Sequence, residues 1–344
     1  MYSFMNDYSE GAHPDILKAL EATGFTQEEG YGLDKHSLRA KDLIRELVKD
    51  KDAEVIFLTG GTQTNLLAIS SALRPHEACM GATTAHIATH ETGAIEATGH
   101  KIVTAETTDG KLSPPLLQPL LDAHYFEHMV KPRLVYISNP TELGTIYTKK
   151  ELIELRTFCD QKGLILYCDG ARLGCALEAA GNDLSLQDMY MLTDAFSIGG
   201  TKIGALLGEA LVIRKKEMQE DIRYLAKQRG ALLAKGAVLG IQFEQLLQDG
   251  LYFKLAGHSI DCAQKLAEEM GKMGIPFLID SPTNQIFPIL EDTVIAQLEK
   301  DYSFYTWQKT DSNHSAVRLV TSWATPMKTV HNFIQALGAL LEKD

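Results

Sequence analysis

The stretch Leu164-Ile165-Leu166-Tyr167-Cys168-Asp169-Gly170-Ala171-Arg172 decides the fold class. Five apolar or aromatic residues run without a polar break. That pattern marks a strand covered on both faces, and such strands belong to parallel sheets walled by helices. The run then meets a carboxylate and a glycine. In open α/β sheets ligands bind beyond the carboxyl ends of the strands, so the residues just after this strand are candidates for chemistry.

Working outward, Lys149–Gln161 reads as a helix and Leu134–Ser138 (LVYIS) as another strand. Ala53–Leu58 (AEVIFL) is a strand that leads through Thr59–Gly61 into a helix over 62–73. Ala195–Ile198 and Ala210–Ile213 are two more strands. Strands alternating with helices predict an α/β fold with a mostly parallel sheet covered by helices. After about Gly250 the texture becomes α+β. A helix over Leu255–Met273 precedes strand candidates at Pro276–Ile279, Gln285–Pro288 and Val317–Ser322, and a last helix starts at Met327. The expected division is a large domain, 1–250 with its N-terminal segment, and a smaller C-terminal domain, 251–344.

At 344 residues the chain is long enough for two packed units. Its 45% apolar and 23% charged residues are those of an ordinary soluble protein. A net charge of −12 argues against nucleic acid as the main partner, because phosphate backbones need a basic surface. Cys79, Cys159, Cys168, Cys175 and Cys262 show no C-x-x-C spacing, which fits reduced thiols in the cytosol and no zinc site. The N-terminus lacks the features of a secretory signal. No apolar run approaches the roughly 20 residues that span a bilayer. The expectation is a cytoplasmic protein without a membrane or nucleic-acid partner and without a metal-ligand cluster.

Three strand ends carry candidate groups. Gly60-Gly61-Thr62-Gln63 opens a helix, either as a plain turn with a Thr N-cap or as a phosphate cradle of free N–H groups. Asp169 is expensive at a buried strand end unless it meets a cation. Arg172 is one partner for it; the other reading pairs Asp169 with a protonated heterocycle and leaves Arg172 for a substrate carboxylate. Gly199-Gly200-Thr201-Lys202 follows a further strand, and a lysine confined there is either a surface residue in a turn or an amine for Schiff-base formation. His86 is a candidate for ring stacking or proton transfer, with Glu91 five residues on. Arg318 lies mid-strand among apolar residues, suited to a carboxylate ligand or a structural ion pair.

The joint order of these segments resembles the threonine aldolase/β-eliminating lyase family of fold-type I pyridoxal-phosphate (PLP) enzymes. The resemblance spans nearly the whole chain. It runs from Asn6-Asp7 and Tyr31-Gly32 through Gly61-Thr62-Gln63-Thr64-Asn65, His86, Thr141 and Gly144 to Asp169-Gly170-Ala171-Arg172, Thr201-Lys202 and Arg318-Leu319-Val320-Thr321. It implies PLP as cofactor, held by Lys202 as a Schiff base, with Asp169 on the pyridine nitrogen and His86 stacked on the ring. Gly61, Thr62 and Thr201 are implied to contact the phosphate. Arg172, implied to bind the cofactor as well, and Arg318 are implied to grip the substrate α-carboxylate, with Asn6 and Tyr31 as further substrate-binding residues, Tyr31 reaching in from a neighbouring subunit. A homodimer or homotetramer with shared active sites follows from the same resemblance, as does a small amino-acid substrate.

Three departures stand out. Asn6 replaces the Ser that many members carry before the N-terminal Asp. Glu142 stands where well-known aldolases carry a His that handles the β-hydroxyl. The S-x-S-K before the Schiff-base lysine is here Gly199-Gly200-Thr201-Lys202, and the supplementary basic residue for phosphate is matched only loosely, by Lys227 or Arg229. The expected reaction is aldol cleavage of a β-hydroxy-α-amino acid to glycine and an aldehyde, with Lys202, His86 and Glu142 as catalytic residues. The alternatives are β-elimination or transamination of another amino acid, and a non-catalytic binding protein on the same fold.

Overall fold

The computed structural model describes residues 1–342. A two-residue strand, β1 (Tyr2–Ser3), opens the chain. Seven strands then form one sheet: β2 (Glu54–Leu58), β3 (Glu77–Ala82), β4 (Ile102–Ala105), β5 (Lys131–Ser138), β6 (Ile165–Asp169), β7 (Ala195–Gly199) and β8 (Glu209–Ile213). Their order is β2-β8-β7-β6-β5-β3-β4. All neighbours pair in parallel except β8, which runs antiparallel to both β2 and β7. The predicted α/β class is therefore observed. β6, β7 and β8 are buried at every position, as continuous apolar runs require. The edge strand β4 instead alternates, with Val103 and Ala105 inward and Thr104 exposed.

Sequence reasoning passed over β3 and β4. The Glu-Ala-Cys-Met-Gly-Ala run of β3 is low in β-branched residues, and its strand character comes from its neighbours β4 and β5 rather than from propensity.

Beyond Gly250 lie β9 (Gln285–Ile286), β10 (Ile289–Glu291), β11 (Tyr302–Ser303), β12 (Tyr305–Lys309) and β13 (His314–Val320). β13 is flanked by antiparallel β10 and β12 and pairs with β9 at its far end. The expected strand at Pro276–Ile279 does not form. Pro276 has no N–H to give a ladder, and the segment makes only an isolated bridge between Phe277 and Pro288.

Two apolar clusters organise the chain. The helix Leu251–Lys272 joins them, with Tyr252, Leu255 and Ala256 in the first and Cys262, Leu266 and Met270 in the second. Phe4 also belongs to the second, packed edge-on against Tyr2 and Phe333. A fully buried Phe contributes about 3–5 kcal/mol relative to Ala. That anchor, together with β1 pairing to β11, leads the N-terminal segment across to the sheet edge. We propose 1–250 and 251–344 as the division into large and small domains, with this N-terminal segment docked on the small one.

Candidate active site

Every parallel strand of the sheet ends on one edge, and the predicted groups collect there. Asp169 is the last residue of β6 and is buried. Its Oδ2 accepts from the Tyr136 hydroxyl at 2.7 Å and from Asn65 Nδ2 at 3.0 Å, while Oδ1 accepts from the Ala171 amide at 2.9 Å. Asn65 also donates to Glu91 at 2.7 Å and accepts from Tyr167 at 2.8 Å. Glu91 in turn bonds His86 Nδ1 at 2.9 Å. Burial opposes an imidazolium here, but the Glu91 bond and the charges of Glu142 and Asp169 outweigh it, so the His86 pKa lies above its ordinary value. Asn65, Tyr136 and Tyr167 were not singled out from sequence; they lie up to 104 residues from the Asp169 they position or support.

Two glycines let the key loops meet. A Cβ on Gly170 would collide with the Ser197 carbonyl, and one on Gly199 with the Ala171 carbonyl. Their absence allows the Gly199 amide to donate to Gly170 at 2.9 Å and the Gly170 amide to donate to the Ser197 hydroxyl at 2.8 Å. The loop carrying Thr201 and Lys202 is thereby drawn against the Asp169 turn. On the next side the helix Gly61–Ala72 begins at the end of β2 with no side-chain cap at Gly60. Cβ atoms at Gly60 or Gly61 would meet nothing within 4 Å, so the space before this helix start is open.

These groups line one cavity of about 260 Å³, walled by Gly61, Thr62, His86, Asp169, Thr201 and Lys202 among others. A second cavity of about 450 Å³ shares Tyr8, His86, Glu142, Arg172 and Lys202 with it and adds His90, Tyr305, Trp307 and Arg318. The loop after β5, with a cis Asn139–Pro140 bond, carries Glu142 into both.

The two arginines differ. Arg172 does not pair with Asp169. It grips Asp7 through Nε at 2.6 Å and Nη2 at 3.0 Å, and Asn284 adds a 3.0 Å bond to the same carboxylate. Burial works against the Asp7 charge, but Arg172 outweighs it and holds the carboxyl below its ordinary range. Asp169 has no need of the arginine because neutral donors already satisfy it. Arg318 forms no ion pair among the described residues; its guanidinium lies over Tyr305 and Trp307, at 5.4 and 5.3 Å from the ring centroids, and donates to the Met5 carbonyl.

Other expected site residues lie elsewhere. Asn6 turns inward on its own loop, accepting from the Tyr8 amide and the Ser9 hydroxyl. Tyr31 is 42% exposed and lines neither cavity of its own chain; its ring lies under the Lys227 ammonium at 4.6 Å. Lys227 and Arg229 likewise line neither cavity. Among the described residues no three His, Cys, Asp or Glu side chains group as a metal site.

A family model for beta-eliminating lyases matches residues 7–293. The chain belongs to the β-eliminating lyase family. This lyase is 31% identical over 342 residues to a low specificity L-threonine aldolase of a Pseudomonas species, covering 98% of this chain and 97% of the relative. It is 28% identical over 276 residues to a low specificity L-threonine aldolase of Saccharomyces cerevisiae, covering 78% and 68%. A solved threonine aldolase of Leishmania major shares 50% identity and superposes with a TM-score of 0.98 over 99% of this chain and all of its own. An aromatic aminotransferase of Pyrococcus horikoshii, at 17% identity and a TM-score of 0.71 over 99% and 96%, shows the shared fold. Family and fold are those of PLP-dependent enzymes, and this β-eliminating lyase is an enzyme of that class. The cavity suits such a group: a buried carboxylate faces one side, an amine stands beside it, and an uncapped helix start with open space before it awaits an anion.

Proposed function

We propose that this chain cleaves a β-hydroxy-α-amino acid of the threonine kind to glycine and an aldehyde, with PLP seated in the 260 Å³ cavity. The observation that carries the reading is the meeting of Lys202, Asp169, His86 and the Gly61 helix start in one cavity that opens onto Glu142 and Arg318.

Lys202 would supply the amine that carries the cofactor. Gly61, Thr62 and Thr201 would take the phosphate, and His86 would cover the ring. Asp169 would keep a proton on the pyridine nitrogen, from a position already set by Tyr136, Asn65 and the Ala171 amide. When bound, PLP supplies the electron sink for the pair released at Cα. The residues of the chain decide which bond is broken. Arg318 would bind the α-carboxylate, joined by Arg172 through Nη1, the nitrogen not committed to Asp7. Glu142 would take the β-hydroxyl proton, so that the Cα–Cβ bond parts to leave the aldehyde, and protonation at Cα completes glycine. Fixing the substrate in this way supplies several kcal/mol of the barrier reduction.

The location of Tyr31 away from its own cavity supports a role in a neighbouring subunit's site, within a homodimer or homotetramer. Five buried, unpaired thiols support a reducing compartment such as the cytoplasm. No helix is long and apolar enough to cross a membrane among the described residues.

The test is product analysis. PLP-loaded protein is incubated with L-threonine, L-allo-threonine and phenylserine, and aldehyde and glycine are assayed. Matched amounts of both are expected, with Glu142→Gln slower by roughly 10²- to 10⁴-fold. Ammonia and a keto acid in their place would move the reading to β-elimination.

A further inference from the structure

Glu209 has no part in the reaction described above, yet it stands in the same cavity. It is the first residue of β8. Because β8 runs antiparallel to its neighbours, its start reaches the edge where the parallel strands end. Its register partners are Leu58 of β2 and Gly199 of β7. The side chain therefore belongs between the Thr59–Gly61 turn and the Thr201–Lys202 loop, and it lines the cavity with both. It is 4% exposed, and its Oε2 has no hydrogen-bond partner among the described residues.

A buried carboxylate with one oxygen unpaired is costly, and a neutral carboxylic acid lowers that cost. Burial pushes the Glu209 pKa up to about 8, with the Lys202 charge and hydrogen bonding from Thr201 and Gly200 pulling the other way. The titratable groups that face it are Lys202 from the loop after β7, Asp169 from β6 and Tyr252 from the helix Leu251–Lys272. From β2 and the helix Gly61–Ala72 the cavity is lined by Thr59, Gly60, Gly61 and Thr62, none of which titrates. Leu239 and Phe243 of the helix Ala237–Leu247 pack against the adjoining Gly208.

An uncapped helix start favours an anion. A charged carboxylate beside that anion would repel it, whereas an O–H donor forms one of the stronger hydrogen bonds available to a phosphate oxygen. We propose that Glu209, as a protonated acid, donates to the cofactor phosphate and completes its cradle, so that the phosphate dianion binds together with one proton. The proposal rests on reading this cavity as the PLP site, and it adds a positioning residue to that site.

The experiment uses the full-length apoenzyme and two probes, inorganic phosphate and pyridoxal 5′-phosphate, with pyridoxal as the control that lacks the phosphate. Phosphate affinity is measured by calorimetry from pH 8 to 9.5, where free phosphate is already dianionic. For the wild type it is expected to fall towards about tenfold per pH unit, with proton uptake approaching one. Glu209→Gln keeps a donor at every pH, so its profile is expected to be flatter by that one proton. Glu209→Ala, the second variant should the first fail to fold, is expected to bind phosphate roughly tenfold or more weakly at pH 8, again with the flatter profile. Pyridoxal binding should be the same in the wild type and both variants. A wild-type profile without the slope, or the same slope in the wild type and the folded variants, overturns the role of Glu209 while leaving PLP binding intact. Failure of the wild type to take up pyridoxal 5′-phosphate at all overturns the cofactor reading and this proposal together.

Discussion

The inner and outer walls of the site are built differently. On the inner wall Asp169 is held by three neutral donors, and its partner Asn65 is tied in turn to Glu91 and Tyr167. Donors on both of its oxygens fix the Asp169 carboxylate before any ligand arrives, although the buried Oε2 of Glu91 has no partner among the described residues. On the outer wall Arg318 rests on two aromatic faces and one carbonyl, and its buried Nε has no partner among the described residues. Under the proposed function, the contrast separates a wall that holds the cofactor from one whose arginine keeps hydrogen-bonding capacity for a substrate. Arg172 stands between the two, with one edge spent on Asp7.

Variants at each wall can break or sharpen this comparison. Lys202→Ala strikes the inner wall and carries the largest expected effect, a loss of aldehyde formation on the order of a thousandfold or more. The same protein, treated with borohydride in the presence of PLP, should retain no covalently bound cofactor; retention would move the attachment to another lysine. Arg318→Ala strikes only the outer wall. It should raise KM roughly tenfold to a hundredfold while the absorbance of the bound cofactor stays unchanged. A shifted cofactor spectrum in that variant would show that the two walls are not independent.

The smallest effect concerns His86, where the walls join. Its folded-state pKa is raised above the unfolded value of about 6.5, so the stability it contributes is complete below that pH. That contribution is lost as pH rises through the folded value. The Tm difference between the wild type and His86→Asn should therefore shrink from pH 6 to pH 9. A difference that is constant across this range would remove the Glu91 bond as the source of the shift.

Much of the inner wall is legible as sequence because strand, turn and functional residue are contiguous. The apolar run before Asp169, the double glycine after β2 and the Gly-Gly-Thr before Lys202 each place a group at a strand end by local rules alone. The partners of those groups are not legible in this way. Asp169 is the short-range one of the two partners that the sequence offers Arg172, whereas the structure supplies Asp7, 165 residues away. Glu209 did leave a local signal, a carboxylate heading an otherwise apolar strand just beyond Lys202. Its significance depends on the reversed direction of β8, and an apolar run reads the same in either direction. Tyr305 and Trp307 alternate with polar residues along β12, yet only the pairing of β12 with β13 brings them to Arg318.

By itself, then, the sequence determined the α/β class, the alternation of strand and helix, and the chemical groups at the strand ends, because burial periodicity and turn chemistry act over a few residues. The tertiary structure alone decided which of those groups face one another. It paired Arg172 with Asp7, joined His86 to Asp169 through Glu91 and Asn65, and turned Glu209 into the cavity. Apart from the His86–Glu91 bond, which spans five residues, those contacts cross 26 to 165 residues, and they exist because strand order and direction bring separate parts of the chain to a single edge of the sheet.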